Sequence, residues 1–266
     1  MIAAPGRLRQ ANELRKRIVE IVYEGKDGHI PSAFSIIDLI DVLYDSQLRH
    51  DPAWPEWPDR DFFILSKGHG CVALYAVLEK QGYLTREDVS LFCKPGGILG
   101  EHPDCTKVPG VEASTGSLGH GLPFAVGIAL GLRIAGRNNR VYVLIGDGES
   151  NEGTVWESAL VAANLRLGNL CCIVDNNGSA AQILPMDPMT AKWEAFGWVA
   201  GEIDGHDADE IRHALGGLRF ESFGQPKVIV ANTLKGKGVG MLEGHGQWHH
   251  RIPNEEEFRH IMEVLS

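Results

Sequence analysis

The sequence predicts an α/β fold, a parallel sheet covered by helices on both faces, and two observations predict it. Short runs at 62–65, 141–145, 170–174, 198–203 and 228–230 are nearly continuous in apolar residues, as strands buried on both faces must be. Amphipathic stretches of helical period, 72–79 and 155–167 among them, alternate with these runs, and that alternation is the signature of βαβ units.

Taken in order, the periodicity predicts a helix over 8–24 and a second that Ser35 caps, running through 36–43. Pro52, Pro55 and Pro58 then break the chain into a loop. Strands and helices alternate from Phe62 onward; Asp207 opens a later helix with Glu210 as its capping-box partner, and Asn254 with Glu257 caps the last. Glycine, 32 of 266 residues, gathers at the ends of apolar runs and so marks turns. The stretch 94–120 is rich in Gly, Pro and polar residues without periodicity; so long a loop inside a compact domain is usually functional. With no repeat and no linker, residues 1–266 read as one domain.

Composition excludes several classes. The 25 basic and 35 acidic side chains leave a net charge of −10, and with no Lys/Arg block the field repels nucleic acid and acidic membrane surfaces. The first twenty residues carry Arg7, Arg9, Arg15, Lys16 and Arg17 but no apolar stretch of signal-peptide length, and no later segment approaches a membrane span; the expectation is a cytoplasmic protein. Of five cysteines, Cys71, Cys171 and Cys172 fall in apolar runs and Cys93 and Cys105 in or near a loop, none in a C-x-x-C pair. Buried free thiols are expected, which argues against disulfides and a cysteine zinc site.

The densest chemistry lies at Gly146-Asp147-Gly148-Glu149-Ser150-Asn151-Glu152-Gly153: a buried strand, a glycine-flanked acid, then a helix start. At the carboxyl end of a parallel strand this places the Asp147 carboxylate in the crevice where open α/β sheets bind ligands, and the free N–H groups of the following helix suit a phosphate. Thirty positions on, a second apolar strand ends in Asp175-Asn176-Asn177-Gly178, and one crossover helix between them sets both strand ends in the same sheet. A carboxylate and an amide oxygen then face one point, hard donors that with diphosphate oxygens and water make an octahedral Mg2+ site. Asp147 and Asn177 are the predicted ligands.

Gly-Asp-Gly followed after about thirty residues by Asn-Asn resembles the signature of thiamine diphosphate enzymes. Within them the sequence resembles the transketolases from about residue 18 to 253, at Gly28-His29-Ile30-Pro31, Ser66-Lys67-Gly68-His69-Gly70, Gly100-Glu101-His102-Pro103, Thr115-Gly116-Ser117-Leu118-Gly119-His120-Gly121, and Lys235-Gly236-Lys237-Gly238-Val239 with Trp248-His249. The resemblance implies a thiamine diphosphate-binding fold of the diphosphate-domain type, with thiamine diphosphate and Mg2+, or Ca2+ or Mn2+ in its place, as cofactors. It implies that His29, His69, His102 and His249 line a channel over the cofactor, with His250 competing for the last role. Imidazoles bind sugar hydroxyls and phosphate and move protons near neutral pH. It also implies cofactor contacts at His69, Gly116, Ser117, Leu118, Gly146, Asp147, Gly148, Glu149, Asn177 and His249, metal ligands at Asp147, Asn177 and the Ser179 carbonyl, and a Glu152 carboxylate that bridges a subunit interface. The sequence departs from the family at His120, at Pro31-Ser32-Ala33-Phe34 and at Ser179-Ala180-Ala181-Gln182.

In transketolases the glutamate that activates the pyrimidine ring, and the groups that hold a sugar-phosphate tail, lie on another domain. The resemblance therefore implies a partner chain carrying a pyrimidine-binding domain, an α2β2 heterotetramer, and ketol transfer between sugars or sugar phosphates. The alternatives are the α subunit of a 2-oxo acid dehydrogenase, a 1-deoxyxylulose phosphate synthase-like enzyme and a non-catalytic binding subunit.

Overall fold

The structure is a computed structural model that describes residues 5–182 and 184–266; residues 1–4 of the expected 1–266 domain lie outside it. In chain order its elements are α1 (Pro5–Gly25), α2 (Ile30–Phe34), α3 (Ile37–Ser46), β1 (Phe62–Leu65), α4 (Cys71–Gln81), α5 (Arg86–Ser90), α6 (Gly121–Ile134), β2 (Val141–Gly146), α7 (Gly153–Asn164), β3 (Leu170–Asn176), α8 (Met189–Ala195), β4 (Val199–Asp204), α9 (Ala208–Gly216), β5 (Lys227–Asn232) and α10 (Glu255–Val264). The five strands form one parallel sheet in the order β1-β2-β3-β5-β4.

The pleat divides the core in two. Tyr142, Leu144, Cys171, Ile173, Ile229 and Ala231 point to one face and pack with α1, α3, α4 and α9. Val141, Val143, Ile145, Cys172, Val174, Val228 and Val230 point to the other, under α6, α7 and α8. Because β5 inserts between β3 and β4, the step from β4 to β5 runs back along the sheet, and a right-handed crossover then places α9 on the face opposite α7 and α8. Strands β2 and β3 are buried almost end to end, as their continuous apolar runs require. Edge strand β4 has four of its six residues exposed, although α8 and α9 pack against it from opposite faces.

Two predicted caps are corrected. Ser35 does not cap the second helix, which begins at Ile37 with no side-chain cap; its hydroxyl donates to the Ser32 carbonyl and to Asp175. Asp207 does cap α9, accepting from the N–H groups of Asp209 and Glu210, but no reciprocal bond from Glu210 makes a box. The Asn254–Glu257 box forms as expected. The cysteines are free; Cys71, Cys171 and Cys172 are buried as expected, whereas Cys93 is half-buried and Cys105 exposed. Among the described residues no helix is long and apolar enough to cross a membrane.

Candidate active site

Gly146 of β2 pairs with Asp175 of β3, so the segments leaving the two strands emerge side by side at the carboxyl edge of the sheet. The Asp147 N–H donates to the Asp175 carbonyl at 3.1 Å and ties the tips together. Asp147 Oδ1 accepts from the Gly148 N–H at 2.8 Å and Oδ2 from the Ala180 N–H at 3.0 Å. Asn177 Oδ1 accepts the N–H and the hydroxyl of Ser179 at 3.1 and 2.6 Å. The turn at 178–180 thus bridges the two predicted ligands and brings Asp147, Asn177 and Ser179 to one place. The Ser179 carbonyl is partly engaged, accepting from the Gln182 N–H at 3.2 Å in a 3-10 turn, which leaves it one lone pair. Burial raises the Asp147 pKa and the Asp175 charge adds to it, outweighing the two N–H donors. A carboxylate so placed, beside a neutral amide oxygen that would give up the Ser179 hydroxyl for the ion, suits a hard divalent cation, which would restore what desolvation takes away.

Directly below, Asp175 is wholly buried and forms a 2.5 Å ion pair with buried Lys67. It also accepts from Thr233 Oγ1, from Ser35 Oγ at 2.8 Å and from Asn177 Nδ2 at 2.8 Å. Burial alone would raise its pKa, yet Lys67 and the two hydroxyls outweigh that and hold it below the ordinary carboxylate value. By taking the Asn177 amide N–H, Asp175 fixes which way the amide oxygen faces.

Glu149, predicted as a cofactor contact, engages its side chain within the protein. One carboxylate oxygen accepts from the Ser66 hydroxyl and from the Gly119 N–H at 2.8 Å, the other from the Gly146 N–H at 3.0 Å. Burial raises its pKa despite these donors. Both oxygens are committed to joining the β1 end, the 115–121 loop and the β2 end. The fit there is tight: a Cβ on Gly121 would lie 2.3 Å from Ser66 Oγ, and one on Gly68 2.8 Å from the Gly116 nitrogen.

Above the strand tips the histidines converge. The His29 ring lies 5.3 Å from His69, 5.4 Å from His249 and 4.5 Å from His250 between centroids, the last pair stacked. His102 packs against the backbone of Gly116, where a Cβ would meet His102 Cδ2 at 2.8 Å and φ is +146°. The two candidates for the last channel role differ in their neighbours: His249 Nδ1 is 3.0 Å from Lys235 Nζ, whereas His250 Nε2 lies 2.9 Å from Asp27. Ser117 is exposed and Leu118 half-buried on the same loop. Glu152 is exposed at the start of α7, its side chain against Gly119. A cavity of about 240 Å3 beside the strand tips is lined by Ser179, Gln182, Lys235, Gly244, His245, Gly246 and His249. A cation and imidazoles next to a metal-suited carboxylate make a lining that fits a diphosphate.

Residues 7–265 match the family model described as "Transketolase, thiamine diphosphate binding domain". The chain belongs to that family. It is 36% identical over 262 residues to one of the subunits of the apulose-4-phosphate transketolase of Phocaeicola vulgatus, covering 97% of this chain and 92% of that one. It is 40% identical over 262 residues to the 6-deoxy-6-sulfo-D-fructose transketolase subunit SqwG of a Clostridium species, covering 97% and 95%. Among solved structures, the transketolase of Leishmania mexicana superposes with a TM-score of 0.89 at 31% identity and that of Campylobacter jejuni with 0.90 at 31%; each match covers 97% of this chain but only 41% and 42% of the other. The chain therefore spans about two fifths of the length of those solved transketolases.

Within this transketolase-type domain, sequence reasoning left Asp175, Lys67, Lys235 and His245 without roles. His245 Nε2 lies 3.1 Å from the Asn177 carbonyl. Asp175 stands two residues before Asn177, and Lys67 lies inside Ser66-Lys67-Gly68-His69-Gly70, so the signal was present, but only the fold pairs them across 108 positions.

The cluster carries a pH signature. Burial, followed by the charges of neighbouring histidines and Lys235, lowers the His29 pKa from 6.5 to about 4; burial and the Lys67 charge lower that of His69 to about 2. Between these values and 6.5 the unfolded chain binds more protons than the folded one, so stability falls as pH falls through 6.5. His69→Gln is expected to flatten the loss of melting temperature between about pH 7 and about pH 5; a thermal unfolding series with an unchanged slope would contradict it.

Proposed function

We propose that this chain is the diphosphate-side subunit of a thiamine diphosphate-dependent transketolase, moving a two-carbon ketol unit from a ketose or ketose phosphate to an aldose. The observation that carries the reading is Asp147 and Asn177 on adjacent strand tips beneath the cluster of His29, His69 and His249. A separate subunit with the pyrimidine-binding domain completes the site, in an α2β2 heterotetramer. The relatives named as transketolase subunits support this. So do α6 and α7, which leave Phe124, Ile134, Leu160 and Val161 exposed, an uncovered apolar surface of the kind that marks a protein contact.

In this reading Asp147, Asn177 and the Ser179 carbonyl hold Mg2+, with Ca2+ or Mn2+ able to replace it. Lys235, His69 and His249 face the diphosphate, and Gly116, Ser117 and Leu118 line the side toward the rings. When bound, the cofactor supplies a nucleophilic carbon and an electron sink for breaking and remaking a carbon–carbon bond. His29 and His102 orient substrate hydroxyls and exchange protons with them; the lowered pKa of His29 keeps it a neutral imidazole, able to accept, at neutral pH. Glu152, exposed beside Gly119, faces the partner subunit.

The test is reconstitution. The chain alone with Mg2+ and thiamine diphosphate is expected to show no ketol transfer from a ketose donor, and the complex with a pyrimidine-domain partner to show it. Full transfer by the single chain, or decarboxylation of 2-oxo acids by the complex in place of ketol transfer, would sink the reading.

A further inference from the structure

The outer edge of the histidine cluster holds a second constellation, which shares His29 with the channel. His29 Nδ1 is buried without a hydrogen-bond partner. Glu101 Oε1 stands 3.6 Å from it and 3.4 Å from His250 Nε2, and the three ligand atoms lie within 4.8 Å of one another. A tetrahedral ion with bonds of about 2.0–2.2 Å needs neighbouring donors about 3.3–3.6 Å apart. Two of the three edges already have that length. The stacked rings of His29 and His250, 25° apart in plane, present their nitrogens to the same carboxylate. Asp27 Oδ1 lies 2.9 Å from His250 Nε2 on the outer side.

We propose that His29, Glu101 and His250, with water as the fourth donor, form a binding site for a divalent transition cation of the zinc and cobalt class. Two imidazoles and a carboxylate select such an ion, whereas the oxygen donors at the strand tips suit Mg2+. Binding takes the His250 tautomer with its proton on Nδ1, so that Nε2 offers its lone pair to the metal in place of its contact with Asp27. The ion holds His29 by the nitrogen that has no other partner, and joins residues 27–29, the 94–120 loop and the segment after Trp248.

Co2+ titrated into the full chain under excess Mg2+ tests this through the visible absorption of tetrahedral cobalt, with Zn2+ as competitor. The expected result is one site that Zn2+ empties. Glu101→Gln and His250→Ala, both at solvent-accessible side chains, should weaken it by about tenfold or more, and Asp147→Ala should leave it unchanged. A chain without the tetrahedral spectrum overturns the proposal, as does a spectrum that persists in both rim variants or disappears in Asp147→Ala. None of these outcomes depends on ketol transfer, so this site and the catalytic reading can fail separately.

Discussion

An Asp147→Ala chain is expected to lose the Mg2+-dependent heat of thiamine diphosphate binding, with affinity down by at least about 100-fold. Removing even an outer partner of a metal ligand costs 10- to 100-fold, and here the carboxylate itself is removed. The stability cost should be far smaller. The N–H groups of Gly148 and Ala180 lose their acceptor, worth about 1–3 kcal/mol, but a buried carboxylate whose pKa is raised also ceases to be desolvated. Calorimetric titration gives the binding and thermal unfolding the fold. Wild-type heat from a folded Asp147→Ala chain would remove Asp147 from the cation site, and the assignment of Asn177 with it.

How much of this was legible in the sequence depends on whether the signal was local. Strands β1, β2, β3 and β5 were readable because both faces of each are covered, which demands apolar residues without interruption. Helix α6 was missed for a related reason. Its sequence, GLPFAVGIALGLRI, is apolar on nearly every side, so no polar face sets a period, and periodicity cannot separate such a run from a buried strand. The five-residue α2 is too short to show a period at all. Ser35 has the residue type and position of a cap, but its hydroxyl goes to Asp175, 140 residues away, a tertiary demand that no local rule contains.

The site divides in the same way. Asp147, Asn177 and the histidines sit in glycine-flanked turns, where chemistry leaves a compositional trace, and the fold places them together. The residues that hold them leave none. Glu149 sits inside the motif and resembles another ligand, yet the structure gives its two oxygens to Ser66, Gly119 and Gly146. Its function is to fix three loops, and only the pairing of a strand end with two distant turns shows that.

Lys67 tests this supporting layer most severely. Lys67→Met keeps the length of the side chain and removes its charge, leaving Asp175 buried without its cation. Breaking a buried pair in this way costs about 3–5 kcal/mol, which for a chain of this size lowers the melting temperature by roughly 10 °C. The effect should reach the site as well, because Asp175 must either take up a proton or draw harder on Thr233, Ser35 and the Asn177 amide. Each alternative disturbs the amide that presents its oxygen at the strand tip, so Mg2+-dependent cofactor affinity should fall even in the fraction that is folded. Adding Asp175→Asn separates charge from shape: a neutral amide in place of the carboxylate should recover much of the stability lost in Lys67→Met while leaving cofactor binding impaired. If Lys67→Met melts with the wild type, the pair is not what holds the tips of β1 and β3 together, and the orientation of Asn177 must be set by Ser179 alone.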